Sequence, residues 1–432
     1  MQPITRDDSA AGPLRVGYLV RSWPRISQTF IVQEIRSLER LGVEVEIFSL
    51  SRADELFVQP EVAEILGPVT FLDEVVGNTA AERRRSLRKA VYRHRGAAIR
   101  VCRSRHWDRG YHVASRFECL RLASALATIV GARQRDGRPL HHLHAHFLHD
   151  PAAVAQLAGM MTGVPWSVTA HARDLYQIAP RSVAERAASA DAVVTICESN
   201  LDYLRSVASM ADHRKLVLIH NGLDLTAFPS SRIRHGSPMR IVSIARHVEK
   251  KGIDDLIEAC RRLAQNGVQF TCSLFGEGPL TDSFRAAIDR AGLQDLVVLE
   301  GSRTRRQLID VLSTSDVFVL LPYVTADGDR DGIPTVLVEA MACRLPVVTT
   351  DVAGIADLVT HELNGFLLAP RDIDGAVTAM ARLAEQPDLG VRLGVAGRRT
   401  VETSFDGDRS AERLIELFNM SRSVRYEGSA RS

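Results

Sequence analysis

The chain has six cysteines in 432 residues, and no two of them form a Cys-x-x-Cys pair. Cys102, Cys119, Cys197, Cys260, Cys272 and Cys343 lie far apart, which predicts reduced thiols in a cytoplasmic protein, most of them core filler. Long apolar runs are missing as well. The most apolar stretch, 151–168, is interrupted by Gln156, Thr162 and Pro165, so no membrane span is expected. The first twenty residues, MQPITRDDSAAGPLRVGYLV, carry acids where a secretory signal would be basic and hold no long apolar core. No sign of charge dominates: the net charge is +2, and no nucleic-acid partner is expected. What is present, 45% hydrophobic and 25% charged residues, belongs to a globular protein. Its length exceeds one ordinary core and suits two domains of about 200 residues each.

The small net charge is unevenly spread. Between 81 and 109 stand eleven Arg or Lys residues against Glu82 and Asp108, a local charge of about +9. Two readings are open, a solvated helix face or a surface that meets anionic lipid or phosphate.

Short apolar runs alternate with amphipathic ones, the pattern of βαβ units and parallel sheets. In the first half, strands are expected at 14–20, 43–50, 142–147, 166–170, 191–197 and 215–219, with a helix over 29–41 stopped by Gly42. A polar stretch, 229–239, reads as a linker. Beyond it strands are expected at 240–245, 270–275, 296–300, 317–321 and 346–350, with helices over 376–384 and 408–420. The fold class is therefore α/β, two doubly wound, Rossmann-like domains with ligands at the carboxyl ends of their strands, facing across a cleft. The domains are expected at 1–228 and 238–405, with 406–432 a C-terminal helix that crosses back to the first domain, and a tail. A dehydrogenase is disfavoured, because no Gly-x-Gly-x-x-Gly follows LRVGYLV.

Three strand-end loops of the second half carry chemistry. ARHVEKKG (245–252) sets Arg246 and Lys251 at the mouth of a sheet, where a fork and a point charge suit a pyrophosphate. FGEGPL (275–280) sets Gly276 and Gly278 where a phosphate or ribose could approach the backbone, although such glycines are more often conformational. The third, DGDRDGIPTVLVEAMA (327–342), holds Asp327, Asp329, Asp331 and Gly332. It is not a calcium loop: the bidentate Glu is due at Val338, and Glu339 comes one residue late. Asp327-Gly-Asp329 matches the metal-binding Asp-x-Asp of other nucleotide-sugar enzymes, but no metal is expected here. A helix beginning at Pro334, taken as the first helical position, offers its amides as an anion seat. Asp331 and Glu339 on either side of that seat are suited to accept hydrogen bonds from sugar and ribose hydroxyls.

These loops, with VAGIADLV and NGFLL after them, resemble the donor half of the family 4 retaining glycosyltransferases of the GT-B fold. In the first half RSWPRISQTFIVQEI, HAHF, TAHARDLY and HNGLD resemble the subgroup that builds exopolysaccharide, the colanic-acid-type transferases. The resemblance covers most of 15–405. It implies a nucleotide-diphosphate sugar as donor and a glycan or lipid-linked oligosaccharide as acceptor, with no cofactor and no metal. Arg246 and Lys251 would neutralise the diphosphate, Glu339 would take the ribose hydroxyls and Asp331 those of the donor sugar. Backbone around Gly332 and Ile333 would support sugar and phosphate, Arg303 would lie near the base, and His171 would approach the sugar from the opposite domain. His141, His142 and His144 read instead as satisfied histidines. The family usually has glutamate where this chain has Asp331. The protein is expected in the cytoplasm, peripheral at the inner face of the membrane. The competing readings are a GT-B epimerase or inverting transferase, and a catalytically silent partner in a polysaccharide assembly complex.

Overall fold

A computed structural model of the chain describes residues 12–25, 28–53, 60–77, 79–103, 114–228 and 237–429, with side chains to 420. Residues 229–236 of the expected linker and 104–109 of the basic segment lie outside these ranges.

The chain divides into two compact units. The first contains 1–195, 201–219 and 408–432; the second contains 196–200 and 220–407. Residues 196–200 and 220–228, expected with the first domain, are thus grouped with the second. Hydrogen bonds account for this. Leu223 donates to the Phe405 carbonyl at 2.8 Å and accepts from Gly407 at 3.0 Å, and the Glu198 amide donates to Asp357 at 2.7 Å.

The first unit holds one seven-stranded parallel sheet of β1 (Arg15–Trp23), β2 (Glu44–Arg52), β3 (Val69–Phe71), β4 (His142–His146), β5 (Trp166–Ala170), β6 (Ala192–Thr195) and β7 (Leu216–Leu218). Its spatial order is β3-β2-β1-β4-β5-β6-β7. The second unit holds a six-stranded parallel sheet of β8 (Met239–Ile244), β9 (Phe270–Phe275), β10 (Val297–Gly301), β11 (Val317–Leu320), β12 (Val347–Thr350) and β13 (Phe366–Leu368). Its order is β10-β9-β8-β11-β12-β13. In both sheets, therefore, the first strand pairs with the second on one side and the fourth on the other, the doubly wound arrangement. Strands covered on both faces read as continuous apolar runs, which is why the central ones were legible in the sequence. The edge strands β3, β7 and β13 have three residues each, and of these only β7, inside the apolar run 215–219, was legible in the sequence.

Helix Thr29–Arg40 shows how the faces are covered: Ile31, Val32, Ile35 and Leu38 recur at helical spacing and are buried against Val16, Tyr18, Val45 and Ile47 of β1 and β2. The same core receives the last helix, Gly407–Ser429, through Ala411, Leu414, Leu417 and Phe418. The Phe418 ring lies 4.7 Å from that of His142 and 5.4 Å from that of His144. Phe418→Ala is expected to destabilise the protein by about 3–5 kcal/mol, as other buried aromatic truncations do. Urea denaturation checks this, and a loss below about 1 kcal/mol would mean that the helix covers the sheet without supporting it.

Candidate active site

Strand order reverses between β8 and β11. The loops that follow these two strands, 245–252 and 321–334, consequently flank the place where a doubly wound sheet binds its ligand. Ion pairs tie the two loops together there. Lys251 Nζ donates to Asp331 Oδ2 at 2.6 Å, and Lys250 Nζ reaches Asp329 Oδ1 at 3.0 Å and Asp331 Oδ1 at 3.4 Å. All three side chains of the inner group, Lys250, Lys251 and Asp331, are about 85% covered. Burial raises the Asp331 carboxyl, but Lys251 and Lys250 outweigh it and hold the group below the usual aspartate value. Asp327 lies outside this ion-pair group and accepts from the Asp329 amide at 3.1 Å. Gly252, at φ +63°, follows the lysines where a Cβ would lie 1.8 Å from the Leu321 carbonyl oxygen, so the loop can close on β11 only with glycine.

The helix after this loop runs Thr335–Ala342. Pro334 is its N-cap rather than its first helical residue: a ψ of 120° keeps it extended while its carbonyl accepts from Leu337 at 2.9 Å. No side chain caps this end, nor that of helix Ile253–Gln265 after β8, whereas Thr304 and Asp372 cap the helices that begin at Arg305 and Ile373. Both uncapped ends leave first-turn amides for an anion. At Gly332 a Cβ would meet only Ile196 Cδ1, at 3.4 Å, and Ile333 packs beside it in the second unit's core. Glu339 Oε1 lies 3.5 Å from Arg305 Nε, with both side chains more than four-fifths covered.

Gly276 and Gly278 have a conformational reason to be glycine. At Gly276, φ +119°, a Cβ would fall 2.0 Å from the Ala245 carbonyl oxygen, and at Gly278 it would fall 2.5 Å from that of His247. Their loop is thereby pressed onto 245–247. Beside them is a cavity of about 350 Å³ lined by Gly276, Glu277, Gly278, Thr281, Arg285 and Gly301. Arg246 is exposed and, among the described residues, forms no ion pair. Arg303 is also exposed, donates to Glu300 at 3.3 Å and stands 5.8 Å from the centre of the Phe275 ring.

In the first unit the reversal falls between β1 and β4, and histidines gather there. His171, just past β5, is buried, with its Nε2 3.3 Å from His146 Nδ1. His146 Nε2 lies 2.9 Å from Glu34 Oε1, which also accepts from the Tyr18 hydroxyl at 2.7 Å. Asp174 binds the ends of β4 and β5 together by accepting from the Leu148 amide at 2.6 Å and the His171 amide at 2.9 Å. His144 lies between Ser167, at 2.8 Å, and Thr169, at 3.0 Å; His142 lies 2.7 Å from Ser167, and His141 accepts from the Arg15 amide.

Two family models match successive parts of the chain, together 27–400. Residues 27–227 match Glycosyltransferase Family 4 and residues 226–400 match Glycosyl transferases group 1. The chain is a glycosyltransferase of these families. The putative colanic acid biosynthesis glycosyltransferase WcaL of Salmonella typhimurium is 27% identical over 385 residues, 86% of this chain and 90% of that one. The amylovoran biosynthesis glycosyltransferase AmsK of Erwinia amylovora is 37% identical over 180 residues, 42% of this chain and 44% of that one. In fold, Anabaena HepE in complex with UDP and glucose superposes with a TM-score of 0.69 at 15% identity, over 94% of this chain and 99% of that one.

Sequence reasoning about this glycosyltransferase did not find Lys250, Arg305, Glu34 or His146 as partners. Lys250 adjoins a residue that was found, and only the approach of 321–334 reveals that both lysines face the aspartates. Arg305 and Glu34 sit inside ordinary amphipathic patterns, and HAHF alone does not say which histidine meets a carboxylate.

The buried imidazoles give a pH test. Burial pushes His144 and His171 well below the ordinary value, so the folded protein leaves them uncharged where the unfolded chain protonates them, below about pH 6.5. Each therefore lowers stability by about 1.4 kcal/mol per pH unit of acidification from there. Asp174 acts oppositely: burial, against the pull of its amide donors, pushes it up to about 7, so between about pH 4 and 7 the folded state holds a proton the unfolded state has lost. Two imidazoles against one carboxyl leave a net loss of about 1.4 kcal/mol per unit between about pH 6.5 and 5. Urea denaturation across that range should show it, and Asp174→Asn should make the slope roughly twice as steep.

Proposed function

We propose that this glycosyltransferase moves a sugar from a nucleotide-diphosphate sugar, with retention of configuration and without metal, to a hydroxyl of a growing lipid-linked exopolysaccharide. The observation that carries the reading is the cluster of Lys250, Lys251 and Asp331 at the strand-order reversal, beside two uncapped helix ends. The names of WcaL and AmsK support polysaccharide assembly, and HepE, bound to UDP and glucose, supports the donor class.

The chemistry asks for stabilisation of a leaving diphosphate. An ammonium has three protons, so Lys251 can keep Asp331 and still donate to a phosphate oxygen. Arg246 brings a fork, and the first-turn amides after Gly332 bring fixed dipoles aimed at developing charge. Asp331 takes sugar hydroxyls, Glu339 takes the ribose diol, Arg303 serves the base and His171 serves the donor sugar. The departing phosphate oxygen draws the proton from the acceptor hydroxyl on the face it leaves, so no protein nucleophile is required. With a panel of labelled nucleotide-diphosphate sugars, Arg246→Ala and Lys251→Ala should each lower turnover on the best donor by about 10²–10³-fold. Near-normal turnover in both would reduce them to solvated charges.

A lipid-linked acceptor also requires a membrane surface, which places the protein at the cytoplasmic face. No helix among the described residues is long and apolar enough to cross a membrane. Helices Ala80–Arg93 and Arg95–Arg103 instead present Arg83, Arg84, Arg85, Arg88, Lys89 and Arg93, all exposed, together with exposed Tyr92 and Ile99. Among the described residues these six cations form no ion pair. Unpaired cations interleaved with an aromatic and an aliphatic side chain suit the interface of anionic lipid. Co-sedimentation with anionic vesicles should exceed that with neutral ones, and each cation removed should weaken it by about 1 kcal/mol at low salt. Equal binding to both, or none, would leave a solvated face.

A further inference from the structure

Glu339 sits in the middle of helix Thr335–Ala342, and Arg305 opens helix Arg305–Thr314, so the two belong to different elements of the second unit. Their side chains meet as an ion pair, with Arg305 Nε 3.5 Å from Glu339 Oε1. Both side chains are largely covered, which separates this pair from the exposed ones that contribute little. A carboxylate so covered is costly without a partner charge, and removing the partner leaves that charge stranded.

Its own helix gives Arg305 no reason to be charged. A cation in the first turn opposes the helix dipole. The amino end is already served by a capping box, in which the Gln307 amide donates to the Thr304 hydroxyl and the Thr304 amide donates to Gln307 Oε1. That box fixes where the helix begins, and hence where the Arg305 side chain leaves the backbone. The guanidinium also lies 5.3 Å from the centre of the Phe228 ring, a cation–π distance. Phe228 is buried, and its carbonyl accepts from Arg398 at 3.0 Å. Glu339 therefore meets a cation that is itself held in place. One ion pair does not exhaust a carboxylate, whose two oxygens have about four acceptor positions. Ordering a glutamate side chain costs rotamer freedom, and a pair formed in the folded protein moves that cost from binding to folding.

We propose that Arg305 is a positioning residue: it holds the Glu339 carboxylate ready to accept from vicinal hydroxyls, and so makes the site select ribonucleoside over 2′-deoxyribonucleoside diphosphates. The ribose role of Glu339 rests on the reading above; the pairing of the two side chains does not.

The test is calorimetric titration of the full chain with uridine, guanosine and adenosine diphosphates and the 2′-deoxy form of each. For the base that binds best, the native protein should favour the ribo form by about 10–100-fold, the size of a hydrogen bond to a charged group. Glu339→Ala should abolish that preference. Arg305→Met, which keeps an apolar arm against Phe228, should lower it to about threefold or less, with the deoxy form bound nearly as before. Arg305→Lys, which keeps the charge, should retain most of it. Adding Arg305→Met to Glu339→Ala should change the preference no further. A preference kept in Arg305→Met but lost in Glu339→Ala would overturn the proposal. So would equal weakening of ribo and deoxy forms in Arg305→Met, which marks a direct contact with phosphate or base. A native protein without the preference, or a preference that survives Glu339→Ala, defeats the ribose reading itself and the proposal with it.

Discussion

Both halves of the chain are built on a single topological constraint: a parallel sheet that grows first to one side of its opening strand and then to the other. The chain leaves β8 and β11 at the point where strand order reverses, so the loops above those strands lie side by side, joined by the Tyr323 amide on the Lys250 carbonyl and by the ion pairs of Lys250 and Lys251. The lysine and aspartate cluster of the second unit is placed by that reversal. The loops carry the lysines and aspartates, and the helices supply uncapped amino ends. The first unit's own reversal, between β1 and β4, gathers Glu34 and the histidines instead. Position was set by topology, and the residue types placed there differ.

The loops after β8 and β11 show how cations can be stored without being free. Lys250 and Lys251 are balanced by Asp329 and Asp331, so the cluster is close to neutral before any ligand arrives. Any anion entering it competes with carboxylates rather than meeting bare charge. That lowers nonspecific attraction for anions, while the protons Lys251 does not spend on Asp331 stay available to a ligand. The shorter arm of aspartate, where the family usually has glutamate, is compatible with this arrangement because both lysines reach toward it from one loop.

Much of this was legible in the residues alone. The central strands announced themselves as apolar runs, and the loops ARHVEKKG, FGEGPL and DGIPTVLVEAMA fell at strand ends where such folds bind ligands. The parts that escaped did so for physical reasons. β3 and β13 have three residues each, and helix Pro387–Ser404 has three glycines inside it, Gly390, Gly394 and Gly397, that blur a helical pattern. Gly276 and Gly278 were visible, but only the nearness of Ala245 and His247 explains them. Pairings across long separations, Lys250 with Asp329 and Glu34 with His146, have no local signature. Charge periodicity reports a helix face and cannot report which distant loop will meet it.

The return of the last helix to the first sheet has a consequence for how the protein is made. Leu414, Leu417 and Phe418 close a core whose other walls, Val16, Tyr18, Ile31 and Ile35, leave the ribosome several hundred residues earlier. Through the whole synthesis of 220–407 that core has helix Thr29–Arg40 but lacks the residues of the last helix, and the second unit, continuous apart from 196–200, has all its residues before the first. The second unit can therefore finish its core before the first does, and the nascent first sheet meanwhile exposes apolar side chains to any chaperone.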